Sequence, residues 1–194
     1  MTRTESAPDR RDTAHLPGDG HMWVMVLGDL IIFGAYFVIF MVYRAMRPHE
    51  FLAAQQQLSI NAGVLNTLVL LTSSWFVARS VLAARAGDHR RAIALTYLGG
   101  ACGVLFMLVK AYEWTSEIRH GYTLTSNTFF SFYYMLTGVH LFHVALGLLI
   151  LGVVVRELRN PRRRRASLVE SGATYWHMVD LLWIVIFGLL YVMR

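Results

Sequence analysis

The chain has 194 residues, of which 56% are hydrophobic and only 15% charged, and its mean hydropathy is +0.45. That balance excludes an ordinary soluble domain, and the length allows one domain. The net charge of +6 comes almost wholly from arginine, placed between apolar runs, so membrane topology explains it better than a nucleic-acid partner. Cys102 is the single cysteine, which excludes disulfides within the chain and thiolate metal clusters. Its apolar surroundings in the sequence suggest a small buried hydrophobe.

Residues 1–21 form a polar tail expected on the cytoplasmic side, without the short apolar core and small cleavage-site residues of a signal peptide. Five apolar runs follow, at about residues 22–42, 60–82, 93–109, 128–155 and 175–192. A hydrocarbon core of ~30 Å needs about 20 residues of helix at 1.5 Å each, so each run reads as a membrane span. The third is the weakest, carrying Gly99, Gly100 and Gly103, which membrane helices tolerate and use for close packing. The predicted fold is all-α, an integral membrane bundle of five transmembrane helices over residues 22–194.

Arginine and lysine set the orientation. Thirteen lie in the tail and in the loops after the second and fourth spans, against five on the other side. This predicts a cytoplasmic N-terminus and a C-terminus outside. The run Arg162, Arg163, Arg164 and Arg165 fits a topology signal, and could also hold anionic lipid headgroups.

Several polar residues fall inside the spans. Asp29 lies about 10 Å into the first span, and Asp180 reaches a similar depth in the fifth. His140 and His143 share one face of the fourth span, and His177 opens the fifth. Lys110 and Glu113 close the third at the outer interface, where charge costs little. Asn66 and Thr67 sit in the outer half of the second.

A carboxylate in hydrocarbon must be neutral, paired or turned toward protein. Asp29 therefore calls for a partner, with a histidine of the fourth or fifth span the obvious candidate, and His177 and Asp180 can pair along their own helix. The cluster Asp29, His140, His143, His177 and Asp180 reads either as a proton-handling or cofactor site, or as hydrogen-bonded glue between helices. The residues alone leave both open. Tyr133, Tyr134, Trp176 and Trp183 read as interface-belt and packing residues.

A haem held by paired histidines would make the chain an independent b-type cytochrome. His177 and His143 differ in depth by about 13 Å, too far to share one iron, so no metal site is expected. A small proton-coupled transporter would show repeats or broken helices, and neither is visible.

Two segments carry a family resemblance. LTGVHLFHVALG, Leu136 to Gly147 with Thr137 and Gly138, resembles the Thr-Gly-x-His-x-x-His-Val signature of subunit III of haem–copper oxidases. YWHMVDLLW, Tyr175 to Trp183, resembles that family's Tyr-Trp-His-Phe-Val-Asp-Val-Val-Trp. Three further likenesses keep the same order. Leu65–Asn66–Thr67 opens the second span as the family's does. Lys110 to Trp114 resembles Gln-Ala-x-Glu-Tyr, with lysine for glutamine. Gly28 to Phe33 resembles Ser-Glu-x-x-x-Phe, with Asp29 for glutamate.

The resemblance implies a non-catalytic subunit of the bacterial cytoplasmic (inner) membrane, with no catalytic residue and no cofactor of its own. Haem and metal belong to the partner catalytic subunit, on which the chain packs, with lipids around it and structural lipid as a further ligand. Asn66, Thr67, Glu113, Thr137, Gly138, Trp176 and Trp183 take signature positions, and Asp29 takes that of the intramembrane carboxylate. Longer members have seven spans, and this chain lacks the first two, which puts a lipid-cleft function in doubt. Five-span forms occur with quinol oxidases, actinobacterial oxidases and nitric oxide reductases. The segments LPGDGHMW and GDLIIFGAYF, with the fourth-span signature, look most like the nitric-oxide-reductase-associated accessory group. The expectation is thus an accessory subunit of nitric oxide reductase, with subunit III of an oxygen-reducing cytochrome c or quinol oxidase as the alternative.

Overall fold

The computed structural model describes residues 20–160 and 166–193. Residues 1–19 of the tail, Arg162 to Arg165 and Arg194 therefore lie outside the described residues. Within them the chain is helical throughout, with no strand: α1 (Gly20–Met46), α2 (Pro48–Gln55), α3 (Ile60–Arg85), α4 (His89–Arg119), α5 (Thr128–Arg159) and α6 (Ala166–Phe187), closed by a π-helical turn, Gly188–Val192. Five of these helices are long and apolar enough to cross a membrane. The third span is much longer than expected, because Asp88 caps its start by accepting a bond from the Arg91 N–H at 3.0 Å. Polar residues at its far end stay helical because they are buried against other helices.

The connections follow from local chemistry. Pro48 opens α2 in the first turn, where a missing N–H costs nothing. Gly87 turns the chain from α3 into α4 at φ +79°, a backbone state that other residues seldom adopt. Asn127 caps α5 through the Phe130 N–H at 2.8 Å, and Glu50 of α2 accepts the Thr128 N–H at 3.2 Å. α2 is thereby pinned to the start of α5.

α6 is the most enclosed span and α1 the most exposed. The outward faces carry Ile31, Val38, Leu68, Leu108, Phe142 and Leu149 in the open, as a lipid-facing surface requires. Inside, close approach replaces the hydrophobic drive that lipid cannot supply. The Trp176 ring fills the gap between Gly103 of α4 and Gly147 of α5. A Cβ at Gly103 would lie 2.6 Å from Trp176 Cη2, and one at Gly147 2.8 Å from its Cε3. Trp176 Nε1 also donates to Ser73 Oγ on α3 at 3.0 Å, and Ser73 donates to the Gly99 carbonyl at 2.8 Å. One indole thus binds four helices.

Candidate functional site

Polar groups meet at three places inside the bundle. The first joins α1 to α5. His143 Nδ1 lies 2.8 Å from the Val139 carbonyl, an oxygen that can only accept, so Nδ1 carries the proton. The other nitrogen, Nε2, stands 3.4 Å from Asp29 Oδ1. A proton between Nε2 and Oδ1 would satisfy both groups, whether as a carboxylic acid beside the imidazole or as a carboxylate beside the imidazolium. Both side chains are mostly but not wholly covered, at 13% and 20% exposed. Phe33 packs edge-on against the His143 ring at 5.3 Å and holds α1 in place.

The second place corrects the sequence reading. Lys110 and Glu113 do not sit at an interface where charge is cheap; they are 0% and 4% exposed. Lys110 Nζ donates to Glu113 Oε2 at 3.2 Å, to Tyr133 Oη at 3.2 Å and to Tyr191 Oη at 2.6 Å. Both tyrosine hydroxyls then donate to Glu113 Oε1, Tyr133 at 2.9 Å and Tyr191 through a shorter bond. The three ammonium protons have three acceptors and each hydroxyl accepts once and donates once, so the network closes on itself. The Trp183 ring adds a cation–π contact, with Nζ 5.3 Å from its centroid.

The π-helical turn that brings Tyr191 inward is held from α2 as well. Gln55 Nε2 donates to the Leu189 and Leu190 carbonyls at 3.0 and 3.3 Å. Tyr133 is accordingly no interface-belt residue. Tyr134 is also largely buried, donating to the Tyr122 carbonyl at 2.7 Å.

The third place is the polar seam of α3 and α6. His177 does not pair with Asp180 along its helix. Its Nδ1 lies 2.7 Å from Ser74 Oγ, while both Asp180 carboxylate oxygens are shielded and make no hydrogen bond, although Ser74 stands nearby. Trp183 Nε1 donates to Thr67 Oγ1 at 3.1 Å, and Thr67 donates to the Gly63 carbonyl at 2.9 Å. His140 is fully buried between Phe106 and Trp183, with ring centroids at 5.6 and 5.4 Å. Thr137 donates to the Tyr133 carbonyl and accepts from Trp114 Nε1, and Gly138 lets the Trp114 ring lie close to α5. Cys102 is half-exposed rather than buried.

The sequence reading missed Ser73, Ser80, Tyr133 and Tyr191 as interior polar groups. A signal for the first two was present. Asn66, Ser73 and Ser80 recur every seven residues, which on a helix is one face, and all three are buried. Ser80 meets Thr96 of α4 at 2.7 Å.

Among the described residues no three of histidine, cysteine, aspartate or glutamate converge as a metal site would require. The arrangement is that of helices joined by interior polar contacts, with the Asp29–His143 contact between α1 and α5.

Residues 19–194 match the family model of cytochrome c oxidase subunit III. The chain belongs to the cytochrome c oxidase subunit III family. It is 30% identical over 173 residues to cytochrome c oxidase subunit 3 of Thermostichus vulcanus, covering 88% of this chain and 84% of that protein. It is 33% identical over 178 residues to the probable cytochrome c oxidase subunit 3 of Mycobacterium tuberculosis, covering 88% and 85%. It is also 28% identical over 183 residues to the heme-copper oxidase subunit I+III of Aeropyrum pernix, covering 88% of this chain and 22% of that longer one.

These matches fit subunit III of a cytochrome c oxidase, the alternative expectation, better than the nitric-oxide-reductase-associated subtype, which they do not support. Members of the subunit III family associate with the catalytic subunit I of a haem–copper oxidase. With five apolar helices and bacterial relatives of the same length class, this chain is a multi-pass protein of the bacterial inner membrane.

Proposed function

We propose that the chain is subunit III of an oxygen-reducing haem–copper oxidase, a membrane subunit without chemistry of its own that packs on subunit I and stabilises it. The observation that carries this reading is the family match over nearly the whole chain. His143 holds Val139 and Asp29, His177 holds Ser74, and His140 is boxed by aromatic rings. The Aeropyrum relative, whose name joins subunits I and III in one chain, supports subunit I as the partner.

Haem and copper belong to that partner in this reading. The arginine count supports a cytoplasmic N-terminus. Asp29 is the residue with a proton-linked role in this reading, which its contact with His143 at a partly open face supports.

Affinity purification of the tagged chain from its native membrane in mild detergent tests the assignment. Recovery of an oxygen-reducing subunit I with its copper subunit is expected. Recovery of a nitric oxide reductase large subunit would move the chain to the accessory group, whose support is the motif likeness around Gly28 and His140. Recovery alone, with a haem spectrum, would end the subunit reading.

A further inference from the structure

Six shielded polar atoms make no hydrogen bond of normal geometry, and the helix register sets the three residues that carry them near the level of one indole, that of Trp183. The six are both ring nitrogens of His140, both amide atoms of Asn66 and both carboxylate oxygens of Asp180. The three residues are 0%, 0% and 4% exposed.

Their placement follows from contacts already described. The His140 ring lies against Trp183. The pairing of α3 with α6 runs in regular steps, Ser74 with His177, Ser73 with Trp176 and Thr67 with Trp183. The same steps set Leu70 level with Asp180 and Asn66 level with Trp183. Asp180 and Trp183 are three residues apart on one face of α6, so the three residues fall within about one helical turn, ~5.4 Å, of Trp183 along the bundle axis.

The neighbours satisfy them only in part. Ser74 bonds His177 and stands near Asp180, to which its hydroxyl can donate only when it accepts from His177 Nδ1. Thr67 both accepts from Trp183 and donates to Gly63. All three Lys110 protons are used within its own network. Yet the set is chemically mixed: the amide offers two donors and an acceptor, a neutral imidazole one of each, and the carboxyl at least one acceptor. A molecule that both donates and accepts, and makes two to four bonds, completes such a set, and buried water does this in protein interiors.

We infer that ordered water occupies the layer around Trp183, bridging Asn66, His140 and Asp180. The water is sealed in. On one side lies the closed Lys110–Glu113–Tyr133–Tyr191 network, and on the other the Trp176 ring is packed onto Gly103 and Gly147. The result is an internal hydrated site between two dry layers, not a channel.

Radiolytic footprinting of the assembled complex in native membranes tests this, because hydroxyl radicals formed from bound water oxidise the side chains beside it whatever their distance from bulk solvent. Trp176 is the internal control: like Trp183 it is 0% exposed and its indole N–H is hydrogen-bonded. The expected result is oxidation of Trp183 several-fold faster than of Trp176. Equal, slow rates for the two would overturn the inference. The comparison is made on the unaltered protein, so no variant has to fold. A map of the complex fine enough to resolve water gives an independent reading. Density within hydrogen-bond reach of at least two of the three side chains supports the site. Direct pairing of Asn66 with His140 or Asp180, without such density, contradicts it.

Discussion

Lys110 Nζ lies 2.6 Å from Tyr191 Oη, across 81 residues of chain, and both groups are inaccessible to solvent. This bond ties the middle of the bundle to its last turn. Burying a charge is tolerable only with complete compensation, which Glu113 and two tyrosine hydroxyls supply. Lys110→Met should therefore cost about 3–5 kcal/mol, the range for stranding one partner of a buried pair. Tyr191→Phe should cost about 1–3 kcal/mol, because a polar group loses its partner while packing is kept. The double variant should cost less than the two single costs added, since the groups share one network. Thermal unfolding of the purified complex measures all three, and strict additivity would show that the network does not act as a unit.

Gly103 and Gly147 both abut the six-membered ring of Trp176, Gly103 at Cη2 and Cζ2 and Gly147 at Cε3 and Cζ3. Alanine at either position brings a methyl within 3 Å of the indole, so the buried ring or the helix must shift. Each substitution should destabilise the subunit by about 1–3 kcal/mol, the usual cost of overpacking. Alanine at Gly28 or Gly152, where nothing lies within 4 Å, should be neutral within error in the same assay. Equal effects at the four glycines would refute the packing argument.

The Asp29–His143 pair should respond asymmetrically to mutation. Asp29→Leu leaves an imidazole whose Nδ1 still bonds Val139, whereas His143→Leu leaves the Asp29 carboxyl without its ring partner. His143→Leu should thus be the more destabilising of the two, and the reverse order would count against the pairing of the two side chains. Asp29→Asn keeps the shape and removes the ionisable group. If it changes neither turnover nor the persistence of turnover over many cycles, the proton-linked role of Asp29 is wrong.

The bundle was legible in the sequence because bilayer thickness dictates span length, and five runs of Leu, Val, Ile and Phe announce themselves without tertiary information. The need of Asp29 for a histidine was legible for the same kind of reason: an isolated carboxylate is too costly in hydrocarbon. Lys110 was misplaced because hydropathy ends a helix where charges begin. Here α4 runs on to Arg119, and its charges turn inward to partners more than 20 residues away. The inward turn of Tyr191 depends on a π-helical turn gripped by Gln55, a contact across 134 residues of chain that no local pattern records. Asp180 was expected to meet His177 by spacing alone, and α3 intervened by offering Ser74 to the imidazole.

The most direct test of the central claim is the time course of oxygen consumption by the complex with and without this chain. A packing subunit without chemistry predicts an initial rate close to that of the intact complex, followed by early loss of activity as turnover proceeds. An initial rate of zero on removal would place chemistry in this chain. An unchanged rate and lifetime would mean that it does not stabilise the catalytic subunit at all.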